Sequence, residues 1–414
     1  MTNEFLKRMQ WMEKFSWNME LKAAGMLVRE QWKMFQEYIT GDQTGFVWTN
    51  MLMPPELIYG TGFIPLQTEL IAGWLSSLKL SRNCIQMAHR TGFFGSICSY
   101  HKAVIGALEA GMLPPPKIAV FSSHLCDGGS LMARYLQQRF QTKVIVLNVP
   151  YENDRNTSEV KLRDQIASAL KFLEGYGTGE ASETRLKTAL DLSNKGSNLL
   201  REANKIRSTK YLFEGYLALR NMYGASFLLG CQKGTDIAGA YYEELKQKEE
   251  KGRGAPRLLW VHFAPLYDGE LMQTFENDLG MKVAFDLTGH IYWNAFHIEK
   301  PVEALTKKML SHFFLGDFRG RKALYERLLK EYGIDGIVLF QHQNCRAISC
   351  SAWEFREVAG QLHLPYLEIS GDCIDPGAYS KAQICLRMEA FAERFTGFTG
   401  SAAPKSSCKS IYAS

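Results

Sequence analysis

The chain has 414 residues, of which 46% are hydrophobic, so it can form two or three domains with substantial cores. Its formal net charge of +5 comes from 48 basic and 43 acidic residues that alternate along the chain, which argues against a nucleic-acid-binding protein. No apolar run approaches the roughly 18 residues of a membrane span. The N-terminal residues lack the apolar core of a signal peptide. We therefore expect a cytoplasmic protein with no membrane partner.

Residues 4–39 have apolar side chains at roughly helical spacing, with no Pro or Gly before Gly25. This pattern predicts a helical N-terminal extension over residues 1–44. Beyond it, short apolar runs that predict strands alternate with helical stretches. The runs lie at residues 45–49, 117–121, 143–147, 257–262, 282–286, 336–340 and 365–369. Such alternation is typical of α/β domains with doubly wound, Rossmann-like or flavodoxin-like parallel sheets.

The pattern of these runs divides the chain into consecutive parts. Strand-like runs occupy a first α/β domain at residues 45–157, in which Pro54 and Pro55 predict the first turn of a helix. Residues from about 158 to 221 are polar and lack strand runs, which predicts connecting helices, and residues 246–254 form a charged, Gly-punctuated linker; together they give a helical connector and linker at 158–254. A second α/β domain follows at 255–395. Small polar residues at 396–414 predict a flexible tail.

The chain has nine cysteines, an odd number that argues against a disulfide framework. Cys126 and Cys345 each follow a predicted strand, and Cys98 lies in a loop that enters a predicted helix. Because ligands bind beyond the carboxyl ends of parallel strands, these three thiols are candidates to meet in a cleft between the two domains. Soft thiolate ligands favour zinc or an iron-sulfur centre.

The sequence has no C-x-x-C pair, so spacing alone leaves other interpretations open. A structural zinc protein, or a plain α/β protein with buried thiols, remains consistent with the cysteine pattern. Burial as a small hydrophobic side chain is the preferred interpretation for the other six cysteines. These are Cys84, Cys231, Cys350, Cys373, Cys385 and Cys408.

The residues around the three candidate cysteines form an ordered set of motifs. In chain order they are Pro54-Pro55-Glu56-Leu57, Gly62-Phe63-Ile64-Pro65 with Glu69, Ile97-Cys98-Ser99-Tyr100 with Gly106, Cys126-Asp127-Gly128, Asp335-Gly336-Ile337-Val338 with Asn344-Cys345-Arg346, and Gly371-Asp372 with Arg387-Met388-Glu389-Ala390-Phe391. From about residue 45 to 395, this set resembles the 2-hydroxyacyl-CoA dehydratase and benzoyl-CoA reductase family, specifically its iron-sulfur D-component subunits.

The resemblance implies that Cys98, Cys126 and Cys345 hold one [4Fe-4S] cluster whose fourth iron is open. Relatives with a double-cubane cluster use extra cysteines, whereas this chain has prolines at 114–116 and no cysteine between Cys231 and Cys345. A single cluster is therefore expected.

The resemblance also implies a hydro-lyase, a radical enzyme that removes water from a (R)-2-hydroxyacyl-CoA through a ketyl radical. The expected partners are a homologous second subunit in a heterodimer, a separate ATP-dependent iron-sulfur activator, and the acyl-CoA substrate. This sequence has no Gly-x-x-x-x-Gly-Lys-Ser/Thr loop, so we do not expect it to bind ATP.

Glu69 matches an acidic residue of the family and is a candidate to assist proton transfer or to orient the leaving hydroxyl. A solvated carboxylate at a helix start is the alternative interpretation. The dehydrating subunits have a serine before the Pro-x-Glu element, but here the chain reads Trp48-Thr49-Asn50-Met51. Thr49 or Asn50 would have to act as the hydrogen-bond donor. His124 and His342 are candidates to donate to cluster sulfurs or to bind phosphate, or else they satisfy loop backbone. Arg346 has the same alternatives.

Two further functions remain open. One is a benzoyl-CoA-reductase-type subunit that delivers low-potential electrons to an aryl-CoA. The other is a non-catalytic subunit that relays electrons to a partner, which the missing serine favours.

Overall fold

Two four-stranded sheets, in which every strand pair is parallel, organise the chain. The computed structural model describes residues 2–17, 19–150, 155–176, 183–210, 224–250, 253–268, 270–378 and 380–395. Both sheets carry helices between their strands, so the predicted α/β class with doubly wound domains is confirmed. The domain boundaries given above stay predictions, and the tail at 396–414 lies outside the described residues.

The N-terminal segment forms two helices, α1 (Thr2–Ser16) and α2 (Lys22–Thr40), where the pattern predicted one continuous helical stretch. Gly25, within α2, allows the close contact of the two helices, because a Cβ atom there would lie 2.4 Å from the carbonyl oxygen of Ser16. On the inner face of α2, Tyr38 packs edge-on against Phe46 of the first sheet, with ring centroids 5.3 Å apart.

The first sheet has the strand order β2-β1-β3-β4. Its strands are β1 (Phe46–Thr49), β2 (Ile64–Gln67), β3 (Ile118–Ser122) and β4 (Lys143–Leu147). The sequence analysis missed β2, a four-residue strand that contains Pro65. Proline cannot donate to a strand ladder, and it is tolerated here because β2 lies at the edge of the sheet.

Five helices belong to the first sheet, namely α3 (Pro55–Gly60), α4 (Thr68–Ser77), α5 (Ser81–Arg90), α6 (Ser99–Glu109) and α7 (Asp127–Phe140). Pro55 occupies the first turn of α3, as predicted. Gly106 brings α6 against α5, because a Cβ atom at this position would lie 1.7 Å from the carbonyl oxygen of Cys84. This contact leaves no room for any side chain at 106, so it sets how closely α5 and α6 approach each other.

The polar middle of the chain is helical, as predicted. It contains α8 (Arg155–Glu174), α9 (Glu183–Thr209) and α10 (Gln232–Gln247). The predicted helical residues 211–221 lie outside the described ranges. Helix α10 runs through residues 246 and 247, which the sequence analysis assigned to the linker.

The second sheet repeats the arrangement of the first, with the order β6-β5-β7-β8. Its strands are β5 (Arg257–Val261), β6 (Lys282–Asp286), β7 (Gly336–His342) and β8 (Tyr366–Gly371). Its helices are α11 (Glu270–Gln273), α12 (Pro301–Leu310), α13 (Phe318–Glu331), α14 (Arg346–Gln361) and α15 (Lys381–Ala392).

In both sheets the order in which the strands are added reverses at the first strand. The second strand lies on one side of it and the third on the other, so a crevice opens at the carboxyl ends of β1 and β3, and likewise of β5 and β7. The residues of β1, β3 and β5 are buried along their whole length, which makes these ends rigid supports for the loops that follow. No helix in the described part of the chain has the length and apolar character that crossing a membrane requires.

Candidate functional site

A cavity of about 1090 Å³ is lined by loops from both sheets. Its walls include Asn50 after β1, His124 after β3, His262 after β5, Leu287 after β6 and Asn344 after β7. The cavity therefore lies where the two crevices at the strand ends face each other. Such a position is typical of ligand sites in open α/β sheets.

The three candidate cysteines all line this cavity. Each is the residue directly before a helix: Cys98 precedes α6, Cys126 precedes α7 and Cys345 precedes α14. The backbone N–H groups of the first helical turn bond to each sulfur; they come from Tyr100, from Gly128 and Gly129, and from Ala347 and Ile348. Three helix N-termini thus point their partial positive charge at three thiols.

The three thiols lie close enough that negative charge on one raises the pKa of its neighbours. Burial raises the pKa of Cys98 well above its usual range, and the nearby Cys126 and Cys345 raise it further. Burial also raises the pKa of Cys345, and it raises the pKa of Cys126, whose sulfur faces the cavity, to about 11. A cationic centre among them would therefore be needed to keep all three as thiolates at neutral pH.

This donor set fits an iron-sulfur cluster. Among the described residues, no three His, Cys, Asp or Glu side chains are grouped closely enough to hold a single metal ion. A cube of four irons and four sulfides holds its cysteine sulfurs farther apart than one ion does, and its ligands are thiolates. Three cysteines on one cavity, each facing backbone N–H donors, provide soft ligands and a field that favours an anionic cluster.

His342 links the second sheet to Cys98. Its Nδ1 accepts a hydrogen bond of 3.0 Å from the backbone N–H of Cys373, so the ring proton of the neutral imidazole lies on Nε2. Nε2 is 3.3 Å from the sulfur of Cys98, and in this tautomer it donates to that sulfur. Burial lowers the pKa of His342, which favours the neutral ring. This histidine therefore both satisfies loop backbone and contacts a cysteine sulfur, two of the roles considered for it from the sequence.

His101, one turn into α6, approaches Cys126 in a similar way. Its Nε2 lies 3.6 Å from the sulfur of Cys126. Gly128 makes this approach possible, because a Cβ atom there would lie 2.1 Å from His101 Nε2. Sequence reasoning missed His101, although its position three residues after Cys98 places both on one face of the helix start.

Glu69 lies in the first turn of α4 and lines the same cavity. Burial raises its pKa to about 7, although the carboxylate accepts hydrogen bonds from the hydroxyl of Thr68 and the backbone of Met51. Its charge raises the pKa of Cys126, so the carboxyl group lies close to that sulfur. A carboxyl with this pKa exchanges protons readily near neutral pH.

Comparison with known proteins agrees with these features. The family model described as 2-hydroxyglutaryl-CoA dehydratase, D-component, matches residues 50–395. The chain belongs to this family. The predicted resemblance is thus confirmed over most of the chain.

Relatives of this D-component chain include both dehydratase and reductase subunits. It is 22% identical to the (R)-phenyllactyl-CoA dehydratase alpha subunit of Clostridium sporogenes, over 85% of this chain and 89% of the relative. It is 24% identical to one of the subunits of benzoyl-CoA reductase from Thauera aromatica, over 76% and 80%. It is 20% identical to lactoyl-CoA dehydratase subunit alpha of Anaerotignum propionicum, over 90% and 96%.

Thr49, the predicted substitute for the family's serine, is not among the described residues that line the cavity of this D-component chain. It is buried, and its hydroxyl has no hydrogen-bond partner among the described residues. Asn50 does reach the cavity, but its side-chain amide is used within the first sheet, where Nδ2 donates to the carbonyl of Ser122 at 2.8 Å and Oδ1 accepts from the same residue's N–H at 3.0 Å. Asn50 therefore holds the ends of β1 and β3 together.

The remaining predicted residues lie on the cavity wall of this D-component chain. Arg346 forms an ion pair with Asp127, so the residues that follow Cys345 and Cys126 join the two sheets; both side chains are exposed. Sequence reasoning missed an aromatic group at residues 290–293 and 312–314, whose only signal was a concentration of histidine and aromatic residues beyond β6.

Proposed function

We propose that this chain is the [4Fe-4S] subunit of a 2-hydroxyacyl-CoA dehydratase, with Cys98, Cys126 and Cys345 as the cluster ligands. The observation that carries the proposal is that three cysteines, each at a helix N-terminus, share one cavity with a carboxyl group whose pKa is raised to about 7. Membership of the dehydratase D-component family supports the same assignment. The reaction is the removal of water from a (R)-2-hydroxyacyl-CoA, which makes the chain a hydro-lyase subunit.

Cys98, Cys126 and Cys345 would hold the cluster, and the chemistry it would supply is one low-potential electron for the thioester carbonyl, returned after elimination, which keeps the overall reaction redox-neutral. The substrate ketyl radical loses its C2 hydroxyl, and its C3 proton becomes acidic. Protonated Glu69 donates its proton to the leaving hydroxyl, which departs as water, and the resulting carboxylate accepts the C3 proton. Atoms and charge balance: the substrate loses one hydroxyl and one proton. Thr49, the last residue of β1, would have to reach the cavity in order to act as the hydrogen-bond donor.

The proposal includes two protein partners. Relatives of this chain are named alpha subunits of dehydratases, which supports a heterodimer with a homologous second subunit. A separate ATP-dependent iron-sulfur activator supplies the electron.

Two alternative functions each have one observation in their favour. The similarity to a subunit of benzoyl-CoA reductase supports a chain that delivers electrons to an aryl-CoA. The position of Thr49 away from the cavity wall favours a third possibility, an electron-relay subunit in which elimination occurs on the partner.

Anaerobic purification followed by a paired assay tests these functions. We expect a brown protein with about four irons per chain. With its partner subunit and the reduced activator, it should convert a (R)-2-hydroxyacyl-CoA to the enoyl-CoA and leave benzoyl-CoA unchanged. Reduction of benzoyl-CoA instead would establish the alternative. A colourless, iron-free anaerobic preparation would overturn the cluster and the proposed function with it.

A further inference from the structure

One wall of the cavity is built from aromatic rings beyond β6 and α12. Tyr292 packs edge-on against His312 with ring centroids 4.5 Å apart, and His312 stacks on Phe313 at 4.7 Å with an interplanar angle of 18°. Phe313 in turn contacts Phe314 at 4.7 Å. All four side chains line the cavity. We call these four residues the aromatic wall; their ring faces and edges suit an aromatic ligand.

Among the described lining residues, each buried or half-buried cation is already paired with a carboxylate, so none is available for an acidic ligand. Lys308 lines it, but its Nζ lies 2.7 Å from Glu56 Oε1. Arg321 also lines it, and its Nε lies 2.9 Å from Glu354 Oε2. The other arginines of this lining, Arg134 and Arg346, are exposed rather than buried.

Histidines do not supply the missing charge. Burial lowers the pKa of His312 well below its usual range, so this ring of the aromatic wall is neutral near pH 7. A carboxylate placed against this wall would therefore be buried without a counter-ion, which is strongly unfavourable.

His124 provides an independent observation. It lines the cavity two residues before Cys126, and its ring lies 5.0 Å from that of His312. The side chain is 1% exposed, yet neither ring nitrogen has a hydrogen-bond partner among the described residues. A buried polar group without a partner points to a group that arrives with the ligand. An uncharged hydroxyl is able both to donate to and to accept from a neutral imidazole.

We propose that the aromatic wall and His124 bind the acyl part of the substrate, and that this acyl group is an uncharged aryl group, with a phenol preferred over an unsubstituted ring. The proposal rests on the function proposed above and narrows it to one class of 2-hydroxyacyl-CoA. It assigns the acyl end to the side of the cavity that contains His124, next to Cys126 and Glu69. A second carboxylate on the acyl group is excluded because no buried cation among the described lining residues is free to pair with it.

Binding to the anaerobically purified, cluster-loaded full chain with its partner subunit tests the proposal. No activator or reductant is added, so calorimetry measures binding without turnover. The ligands are (R)-4-hydroxyphenyllactyl-CoA, (R)-phenyllactyl-CoA and (R)-2-hydroxyglutaryl-CoA. We expect the phenol to bind roughly tenfold more tightly than the phenyl compound, as one buried hydrogen bond provides, and the dicarboxylate to bind at least about a hundredfold more weakly than either.

Two variants separate the contributions. His312→Arg places a cation in the aromatic wall and should improve binding of the 2-hydroxyglutaryl compound while weakening that of the phenyl compound. His297→Arg is the matched control, because His297 is exposed and does not line the cavity. His124→Phe should abolish the preference for the phenol over the phenyl compound. Far-ultraviolet circular dichroism checks the fold of each variant.

The outcomes distinguish the two levels of the proposal. If the dicarboxylate binds as tightly as the phenyl compound to the unsubstituted protein, the aryl specificity is overturned while the proposed function stands. Equal affinity for the phenol and phenyl compounds overturns the assignment of His124. If none of the three thioesters binds, the proposed function itself is wrong. The order of the three affinities for the unsubstituted protein tests the aryl specificity even when His312→Arg does not fold.

Discussion

The imidazole of His342 and the thiol of Cys98 meet across the two sheets, with Nε2 3.3 Å from Sγ. The backbone N–H of Cys373 occupies Nδ1, so the proton of the neutral ring is directed at the sulfur. A hydrogen bond to a charged group contributes about 1.5–3 kcal/mol. This contact therefore stabilises a thiolate at Cys98 and, in a cluster, lowers the electron density on that sulfur.

We predict that His342→Phe slows alkylation of Cys98 by iodoacetamide about tenfold in the iron-free protein, because the thiolate loses its donor. Mass spectrometry of the modified peptides measures the rate, and Cys126 in the same sample is the internal control. His342→Gln, which retains an N–H donor, should recover part of the rate. In the loaded protein, His342→Phe should make the cluster potential more negative. Unchanged reactivity of Cys98 would contradict the donor role.

Substitution of cysteines should separate ligands from bystanders. Cys98→Ser, Cys126→Ser and Cys345→Ser should each remove most of the iron and sulfide found after anaerobic purification, because three thiolates are the protein's contribution to the cluster. Cys231→Ser is a matched control: Cys231 also lies directly before a helix, α10, but it does not line the cavity. Equal loss of iron from Cys231→Ser and Cys98→Ser would argue against the assignment.

Glu69 should control the pH dependence of the reaction. Burial raises its pKa to about 7, and the proposed mechanism begins with the protonated form, so activity should decline as the pH rises through about 7. Glu69→Gln should lower kcat by about a hundredfold or more and abolish this titration. The measurement is kcat for the complete heterodimer between about pH 5.5 and 8.5. A variant with an unchanged pH profile would exclude Glu69 from proton transfer.

The same pKa has a consequence for stability. Between pH 4.5, the ordinary pKa of a glutamate, and about pH 7, the folded protein binds the Glu69 proton more tightly than the unfolded chain does. The stability that this group contributes is therefore lost as the pH rises through that range. Glu69→Gln cannot ionise and should therefore stabilise the protein more at about pH 8 than at about pH 5. The gain should stay below about 3 kcal/mol, because the carboxyl group is partly open to solvent in the cavity. Urea denaturation at both pH values measures it.

The buried pair of Glu56 and Lys308 joins α3 to α12, with Ser193 of α9 donating to the same carboxylate oxygen at 2.6 Å. Lys308→Met should cost about 3–5 kcal/mol, because it leaves a buried carboxylate without its counter-ion. The double variant Glu56→Gln, Lys308→Met should recover much of this loss. Urea denaturation compares them with Lys195→Met, which breaks an exposed pair with Asp191 and should change stability by less than about 1 kcal/mol. A small effect of Lys308→Met would show that Glu56 finds another partner.

Gly106 and Gly360 form a matched pair of helix glycines. Gly106→Ala should destabilise the protein by about 1–3 kcal/mol or more and push α5 and α6 apart, because its Cβ would overlap the carbonyl oxygen of Cys84. Gly360→Ala, where no atom lies within 4 Å of the added Cβ, should be neutral or stabilising by up to about 1 kcal/mol. Thermal unfolding of both variants measures the difference. Similar unfolding temperatures would contradict the tight crossing of α5 and α6.

Much of the fold follows from local patterns in the sequence. The run at 143–147 predicts β4 with its observed bounds, since β-branched residues without proline favour a strand. The edge strand β2 was missed because Pro65 argues against a strand unless its position at the sheet edge is known. The break between α1 and α2 was missed because the apolar spacing continues across it, although the chain turns there to let Gly25 contact Ser16.

The sequence by itself determined the α/β class, the family motifs and the three cysteines, because each depends on the order of residues along the chain. Only the tertiary structure showed that those cysteines share one cavity, that Cys98 accepts a hydrogen bond from His342, and that Thr49 lies away from the cavity wall. It also placed His124 beside the aromatic wall, whose residues lie far from it in the sequence. Contacts between distant residues and the burial that shifts a pKa arise only when the two sheets pack together, so no local pattern contains them.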